Sequence, residues 1–480
     1  MPSQIRSAVA SGVATVLALA VVTLVPTRAG AEDAAHPHVQ QLLRAAAAAF
    51  ATSHREPGTR LPYRDVGLLL RDLRAARPRM STAERAAADR YLAPSVASAG
   101  PSTSCSSGLL GLNGPVIATD HFCIHYSGNA TTYAQTTAQT LEQVYATEVG
   151  TLGYRAPLSD GDGRLDVDLT QDLGRRGIYG YCSTSTSAAQ SPAYCALDND
   201  FAPAQYGAPA INSLRVTAAH EFFHAIQFAY DADQETWAME GTAVWAEDEV
   251  FPSINDYLQY LRFSPVREPA TPIDSNGTFE RYGIVVFWKF LAEYLHDRNA
   301  IRQFWQYADA PGGRSALRSV VALLAAHHRA FGPTFAAFAA WNTLPPGSYR
   351  DRGLWPAPAI AATATLSSTA RVLPTRIATL DHLSSTALRI RPSAHLASTA
   401  RLRVVVDGPV RSTSPHALVQ LRMRDRTVRY LTVPLDRNGD GARTVLFDRT
   451  RVASVVVTLS NASVARADDR TFGVSARVVR

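Results

Sequence analysis

His220 and His224 stand four residues apart in the run Thr217-Ala218-Ala219-His220-Glu221-Phe222-Phe223-His224-Ala225-Ile226. On an α-helix that spacing sets both imidazoles one turn apart on a single face, where they can bind the same metal ion. Val216, Phe222, Phe223, Ile226 and Phe228 give the helix a buried side. Imidazoles without partners in such a core would cost free energy, so the pattern favours ligands over packing residues. Glu221 follows the first histidine directly and projects beside a shared ion rather than at it. From there it is placed to take a proton from an attacking water and return it to a leaving group. The chain must then bring a third ligand against this helix and keep one position open.

Trp237-Ala238-Met239-Glu240-Gly241-Thr242-Ala243-Val244-Trp245-Ala246-Glu247-Asp248 reads as a second helix. Fifteen residues separate His224 from Glu240, enough for a loop and an antiparallel return. Glu240 is the expected third ligand. Glu247, seven residues on and on the same face, is the alternative. Otherwise Glu247 or Asp248 orients a ligand histidine through its other ring nitrogen. Two satisfied core histidines and a solvated Glu240 are the plainer reading of the same residues.

The H-E-x-x-H and the E-G-x-A of the next helix resemble the gluzincin metallopeptidases, the clan of thermolysin and the zinc aminopeptidases. More narrowly, His220 to Gln227 with Trp237 to Asp248 is similar to a poorly characterised family of secreted bacterial metalloproteases. In that family a Tyr-Gly-Tyr stretch precedes the zinc helix, as Tyr179-Gly180-Tyr181 does here. The closer resemblance covers residues 80 to 300, and more weakly the tail. It implies a zincin-like fold, Zn2+ held by His220, His224 and Glu240, and Glu221 as general base and acid. The interval to Glu240 is a few residues shorter than in thermolysin, which keeps Glu247 in contention, while the glycine after Glu240 favours Glu240. Arg281-Tyr282-Gly283 opens a further helix and resembles the place where zinc aminopeptidases keep a catalytic tyrosine. Tyr282 is therefore the candidate donor to a developing oxyanion, with a packing role as the plainer account. Nothing resembles the glycine-rich sequence with which exopeptidases recognise a free amino terminus. The resemblance thus implies an endopeptidase acting on a protein or peptide. A zinc aminopeptidase, and a surface-binding or adhesive protein on an inactive zincin scaffold, are the alternatives.

At 480 residues the chain exceeds one compact core and calls for two or three domains. Residues 1–31 read as a signal peptide: Arg6, an apolar stretch from Ala8 to Val25, then the small-x-small site Ala29-Gly30-Ala31. A retained anchor is the competing reading. Export, with no membrane contact after cleavage, suits the four cysteines. Local pairing of Cys105 with Cys123 and Cys182 with Cys195 is the simplest of three connectivities. Residues 32–100 read as an amphipathic helical segment, a propeptide or a structural arm, with Ser81 and Glu84 as a capping box. That segment shows no constellation of catalytic type.

Residues 101–350 form the expected catalytic domain. Within it Phe122 to Tyr126 and Leu165 to Leu169 read as strands, the second half-buried by its period-two alternation. Helical sequence runs from about Ile211 to Ala340. Residues 370–480 carry β-rich runs at 401–406, 418–423, 428–433 and 454–459, the pattern of an all-β sandwich. The expected class is therefore α+β, with a helical N-terminal segment and a C-terminal β-sandwich.

Asp436-Arg437-Asn438-Gly439-Asp440-Gly441 matches the first half of a Ca2+ loop, but Phe447 stands where the bidentate glutamate belongs. A hairpin turn accounts for the same residues. Asp160-Gly161-Asp162-Gly163 is no stronger a Ca2+ candidate. The net charge of +6 comes from scattered arginines with Lys289 as the sole lysine, so no basic patch points to nucleic acid. No phosphate loop, nucleophile elbow or dinucleotide fingerprint occurs. Oligomeric state leaves no mark on the sequence.

Overall fold

The computed structural model describes residues 37–51, 65–92, 105, 114–128, 130–159, 161–171, 173–310, 313–351 and 353–480. The expected signal peptide and Asp160 of the second acidic loop lie outside these residues. Among the described residues the first helices are α1 (Pro37–Phe50), α2 (Gly67–Ala76) and α3 (Thr82–Ala88). The capping box opens α3 as expected, Ser81 Oγ accepting from Glu84 N and Glu84 Oε2 from Ser81 N.

Strands β1 (Val116–Ala118), β2 (Phe122–His125), β3 (Leu165–Thr170), β4 (Gly180–Thr184) and β5 (Ala193–Asp198) form a sheet in the order β1-β2-β3-β5-β4. β2, β3 and β5 are parallel, and β1 and β4 run antiparallel at the two edges. The β2-to-β3 crossover contains α4 (Thr131–Tyr145), as a parallel pair requires. Strand alternation gives the sheet two apolar faces. Cys182, Cys195 and Leu197 share a core with Phe222 and Phe223, whereas Tyr181, Tyr194 and Ala196 share one with Val66, Leu70 and Leu73 of the N-terminal segment. The run Leu165 to Leu169 is a strand, but it is not half-buried. Asp166 and Asp168 are covered too, and Asp166 Oδ1 is satisfied by His125 Nε2 at 2.8 Å.

A helical body follows: α5 (Pro203–Tyr206), α6 (Ala210–Asp231), α7 (Thr236–Val250), α8 (Glu280–Gly283), α9 (Val285–Tyr294), α10 (Ala300–Ala308), α11 (Ala316–Ala326) and α12 (Phe331–Trp341). Apolar residues surround α6, which is buried almost throughout because β4, β5 and α4 pack on it along with α7. Gly241 lets α7 approach its neighbours. A Cβ there would lie 2.5 Å from both Ile284 Cγ2 and Trp288 Nε1.

The C-terminal strands are β6 (Ala362–Leu366), β7 (Val372–Leu380), β8 (Ser384–Pro392), β9 (Arg401–Asp407), β10 (Pro415–Met423), β11 (Val428–Thr432), β12 (Asp440–Leu446), β13 (Val452–Asn461) and β14 (Arg470–Val479). They form two sheets, β11-β10-β13-β8-β6 and β12-β9-β14-β7, around a second large core. The chain is thus a mixed α+β body followed by a β-sandwich, the class its sequence implied. The acidic loop at Asp436 is a turn into β12. Asp436 Oδ1 accepts from Asn438 N and Asp440 N, and Gly439 takes φ 95°. Disulfides join Cys105 to Cys123 and Cys182 to Cys195, the local pairing. Such bonds fit an oxidising compartment. Among the described residues no helix is long and apolar enough to cross a membrane.

Candidate metal centre

α6 presents His220 and His224, and their outer nitrogens are fixed by neighbours. His224 Nδ1 lies 2.6 Å from Gln227 Oε1. The Gln227 amide nitrogen donates to Met239 O at 2.8 Å and Thr242 Oγ1 at 2.9 Å, so its oxygen must face the ring. His224 Nδ1 therefore carries a proton, and Nε2 is the lone pair whenever the ring is neutral. His220 is set the same way, with Nδ1 2.7 Å from Glu247 Oε1. The two Nε2 atoms stand 3.1 Å apart.

Glu240 Oε2, from α7, lies 3.3 Å from His220 Nε2 and 3.7 Å from His224 Nε2. A second carboxylate arrives from the N-terminal segment, with Asp65 Oδ2 3.4 Å from His224 Nε2. Both carboxylate oxygens are buried and accept no hydrogen bond. The four ligand atoms all lie within 4.8 Å of one another. Lone pairs packed together are costly unless a proton or a cation lies among them. Two neutral imidazoles and two carboxylates match the charge and donor preference of a divalent cation. Asp65, His220, His224 and Glu240 could therefore hold a metal ion.

The electrostatics agree. Burial opposes charge on His224, yet the Asp65 and Glu240 carboxylates outweigh it and push the ring up to about 9. Burial also opposes charge on His220, where Glu240 and Glu247 again prevail and raise it. Burial resists ionisation of Glu240, but the two imidazoles hold its carboxyl well below the usual range. The centre is an anionic cradle that demands positive charge.

Glu221 stands beside this group, not within it. Its Oε2 accepts from Cys182 N of β4 at 2.8 Å. Burial, reinforced by the Asp65 charge, pushes its proton affinity well above that of an ordinary glutamate, although both histidines pull it down. Tyr282 of α8 lines the same cavity as Asp65, His220 and Glu221. Its ring centroid is 6.1 Å from that of His220, and it stacks on Tyr260 at 5.0 Å.

Glu247 lies outside the donor group, with its Oε1 2.7 Å from His220 Nδ1, the contact expected of an orienting carboxylate. Asp248 orients no histidine, because its Oδ2 pairs with Lys289 Nζ at 2.5 Å. The N-terminal segment, which shows no catalytic constellation of its own, contributes Asp65 to the donor group. Sequence reasoning also passed over Gln227, although its place three residues after His224 on one helix face was a usable signal. Nothing in the strand pattern marked Cys182 N as the partner of Glu221. Of the Ca2+ candidates, the Asp436 loop is not among the groups that gather three ligand atoms within 4.8 Å in the described residues. Asp162 does approach Cys105 and Cys123, but those sulfurs are joined to each other.

No protein-family model matches the chain, and no curated protein matches it. Among solved structures, one described as a family GH115 4-O-methyl-alpha-glucuronidase with specificity for decorated arabinogalactans shares 8% identity with it. The alignment covers 56% of this chain and 38% of that one, at a TM-score of 0.15. So loose a superposition bears on neither fold nor function.

Proposed function

We propose that the protein is a secreted zinc-dependent endopeptidase whose metal is held by His220, His224 and Glu240. The observation that carries this reading is the convergence of two imidazoles and carboxylate oxygens on one buried point, with Glu221 alongside. Two imidazoles and one carboxylate are a donor set for catalytic zinc. Zinc bound there supplies Lewis acidity, stabilising charge on a carbonyl oxygen and making water more acidic.

The remaining work falls to the chain. Cys182 N fixes one oxygen of Glu221. The carboxylate takes a proton from the attacking water and delivers it to the amine nitrogen as the C–N bond breaks. Burial strengthens it as a base. Tyr282, at the wall of the cavity, donates to the oxyanion. A peptide substrate is supported by β4, the outer strand of its sheet, which runs beside Glu221. Edge strands pair with extended chains through backbone hydrogen bonds. The two disulfides support export.

The test is casein hydrolysis by the purified protein with 1,10-phenanthroline, with zinc restored, and by Glu221→Gln. Chelator should abolish cleavage and zinc should restore it. The variant should keep its zinc and lose activity by a factor on the order of 10²–10⁴. Hydrolysis that survives the chelator, or persists undiminished in Glu221→Gln, would rule the reading out.

A further inference from the structure

The zinc-peptidase reading leaves a conflict, and the inference drawn from it rests on that reading. A hydrolytic centre needs three protein ligands and an open position, yet four donors converge. Three come from α6 and α7. The fourth, Asp65, comes from the turn before α2.

That turn is built to deliver it. Asp65 Oδ1 accepts from Gly67 N at 2.6 Å, which leaves Oδ2 directed at His224 Nε2, 3.4 Å away. Gly67 lies so tightly on β4 that a Cβ would stand 2.0 Å from Cys182 O, a contact only glycine permits. Its carbonyl accepts from Ser183 Oγ at 3.2 Å. α2 is then tied behind the centre, where Arg71 Nη1 donates to Ala232 O and Gln234 O, both at 3.0 Å, in the loop joining α6 to α7. Val66, Leu70 and Leu73 are fully buried beneath it. The carboxylate is therefore held by a packed element and not by a loose loop.

We propose that the N-terminal segment is a built-in inhibitor in which Asp65 fills the position an attacking water needs. Gly67 at the same time lies on β4, the edge along which an extended substrate would pair. One displacement of the segment frees both the fourth position and the strand edge. His220, His224, Glu240 and Glu221 all stay in place, because none of them is carried by the part that moves.

The test compares the full chain with its Asp65→Ala and Asp65→Asn forms, each loaded with Co(II), and with His220→Ala as the control for the site. Asparagine keeps an acceptor for Gly67 N and guards against loss of the turn. All three forms with His220 should bind one cobalt per chain. The visible spectrum should differ between wild type and both variants, and acetohydroxamate should perturb it only in the variants. Casein cleavage by the zinc forms should rise on the order of tenfold or more, since the competent fraction is no longer masked. Identical spectra with the same response to acetohydroxamate would overturn the role of Asp65 while leaving the metal site standing. Cobalt lost from both variants would mark a closed structural site and overturn it as well. A wild type that binds no His220-dependent cobalt would overturn the metallopeptidase reading itself.

Discussion

Gln227 decides which nitrogen of His224 faces the centre. Its amide is locked by Met239 O and Thr242 Oγ1, so the ring can only donate to it. Gln227→Leu removes that acceptor with little change of volume, frees the ring to rotate and leaves the opposite tautomer open. The expected result is a zinc dissociation constant weakened by about 10–100-fold, read by competition with a chromophoric chelator. An unchanged constant would show that the tautomer is not set by this amide. At the same scale the sequence was partly legible. His220, Glu221 and His224 could be read because helix geometry alone brings them together, and Glu240 because the next helix returns across the first. Asp65 could not be read. Its only local mark is a carboxylate before a glycine, and its meaning comes from packing against β4, far along the chain.

Among the elements, α7 carries the most conflicting demands. It gives Glu240 to the centre, Glu247 to the outer nitrogen of His220 and Asp248 to Lys289. That lysine is the only one in the chain, and it is buried between Asp248 Oδ2 at 2.5 Å and Asp351 Oδ2 at 2.9 Å, over the Tyr257 ring. Burial opposes its charge, and the two carboxylates outweigh it and raise the ammonium. Asp351 is held low by the lysine despite its burial, while burial prevails at the deeper Asp248 and raises it. Lys289→Met would strand two carboxylates without a cation. The expected loss is about 3–5 kcal/mol of stability. Chemical denaturation followed by tryptophan emission isolates this body, because Trp237, Trp245, Trp288, Trp305, Trp341 and Trp355 all precede the sandwich. A loss near zero would mean that water or a rearranged side chain satisfies the carboxylates. This network was not legible, since one lysine in an apolar helix names no partners. Strand signals fared unevenly for a related reason. β9 and β13 show as β-branched runs and β10 and β11 as short apolar ones, whereas β6 and β8 are rich in Ser, Thr and Ala and gain their identity from pairing with each other and with β13.

At the scale of the whole molecule, the sandwich is seated on the helical body by backbone bonds and one charged cluster. Ile273 N donates to Leu383 O at 3.2 Å, Ser385 N to Pro269 O at 2.7 Å and Ala359 N to Val266 O at 2.8 Å. Gln420 and Arg422 of β10 reach Ala340 O and Thr343 O at the end of α12. Beside these, His382 in the β7–β8 turn bonds Asp468 through Nδ1 and Asp274 of the helical body through Nε2 at 3.1 Å. Burial disfavours the charged ring, but the two carboxylates outweigh it and raise its pKa above 6.5. The hydrogen bond from His382 lowers Asp468 below 3.8. A raised histidine gives stability that is complete below its unfolded value and lost as pH rises through the folded one. A lowered aspartate gives stability complete above its unfolded value and lost as pH falls through the folded one. The cluster therefore contributes in full between 3.8 and 6.5 and fades above 6.5. His382→Gln keeps some hydrogen bonding and removes the titration. The melting midpoint of wild type should exceed that of the variant most at about pH 5, and the gap should narrow steadily toward about pH 9. Groups common to both proteins cancel in that difference, so a gap that stays constant across the range would show that His382 seats the sandwich without carrying charge.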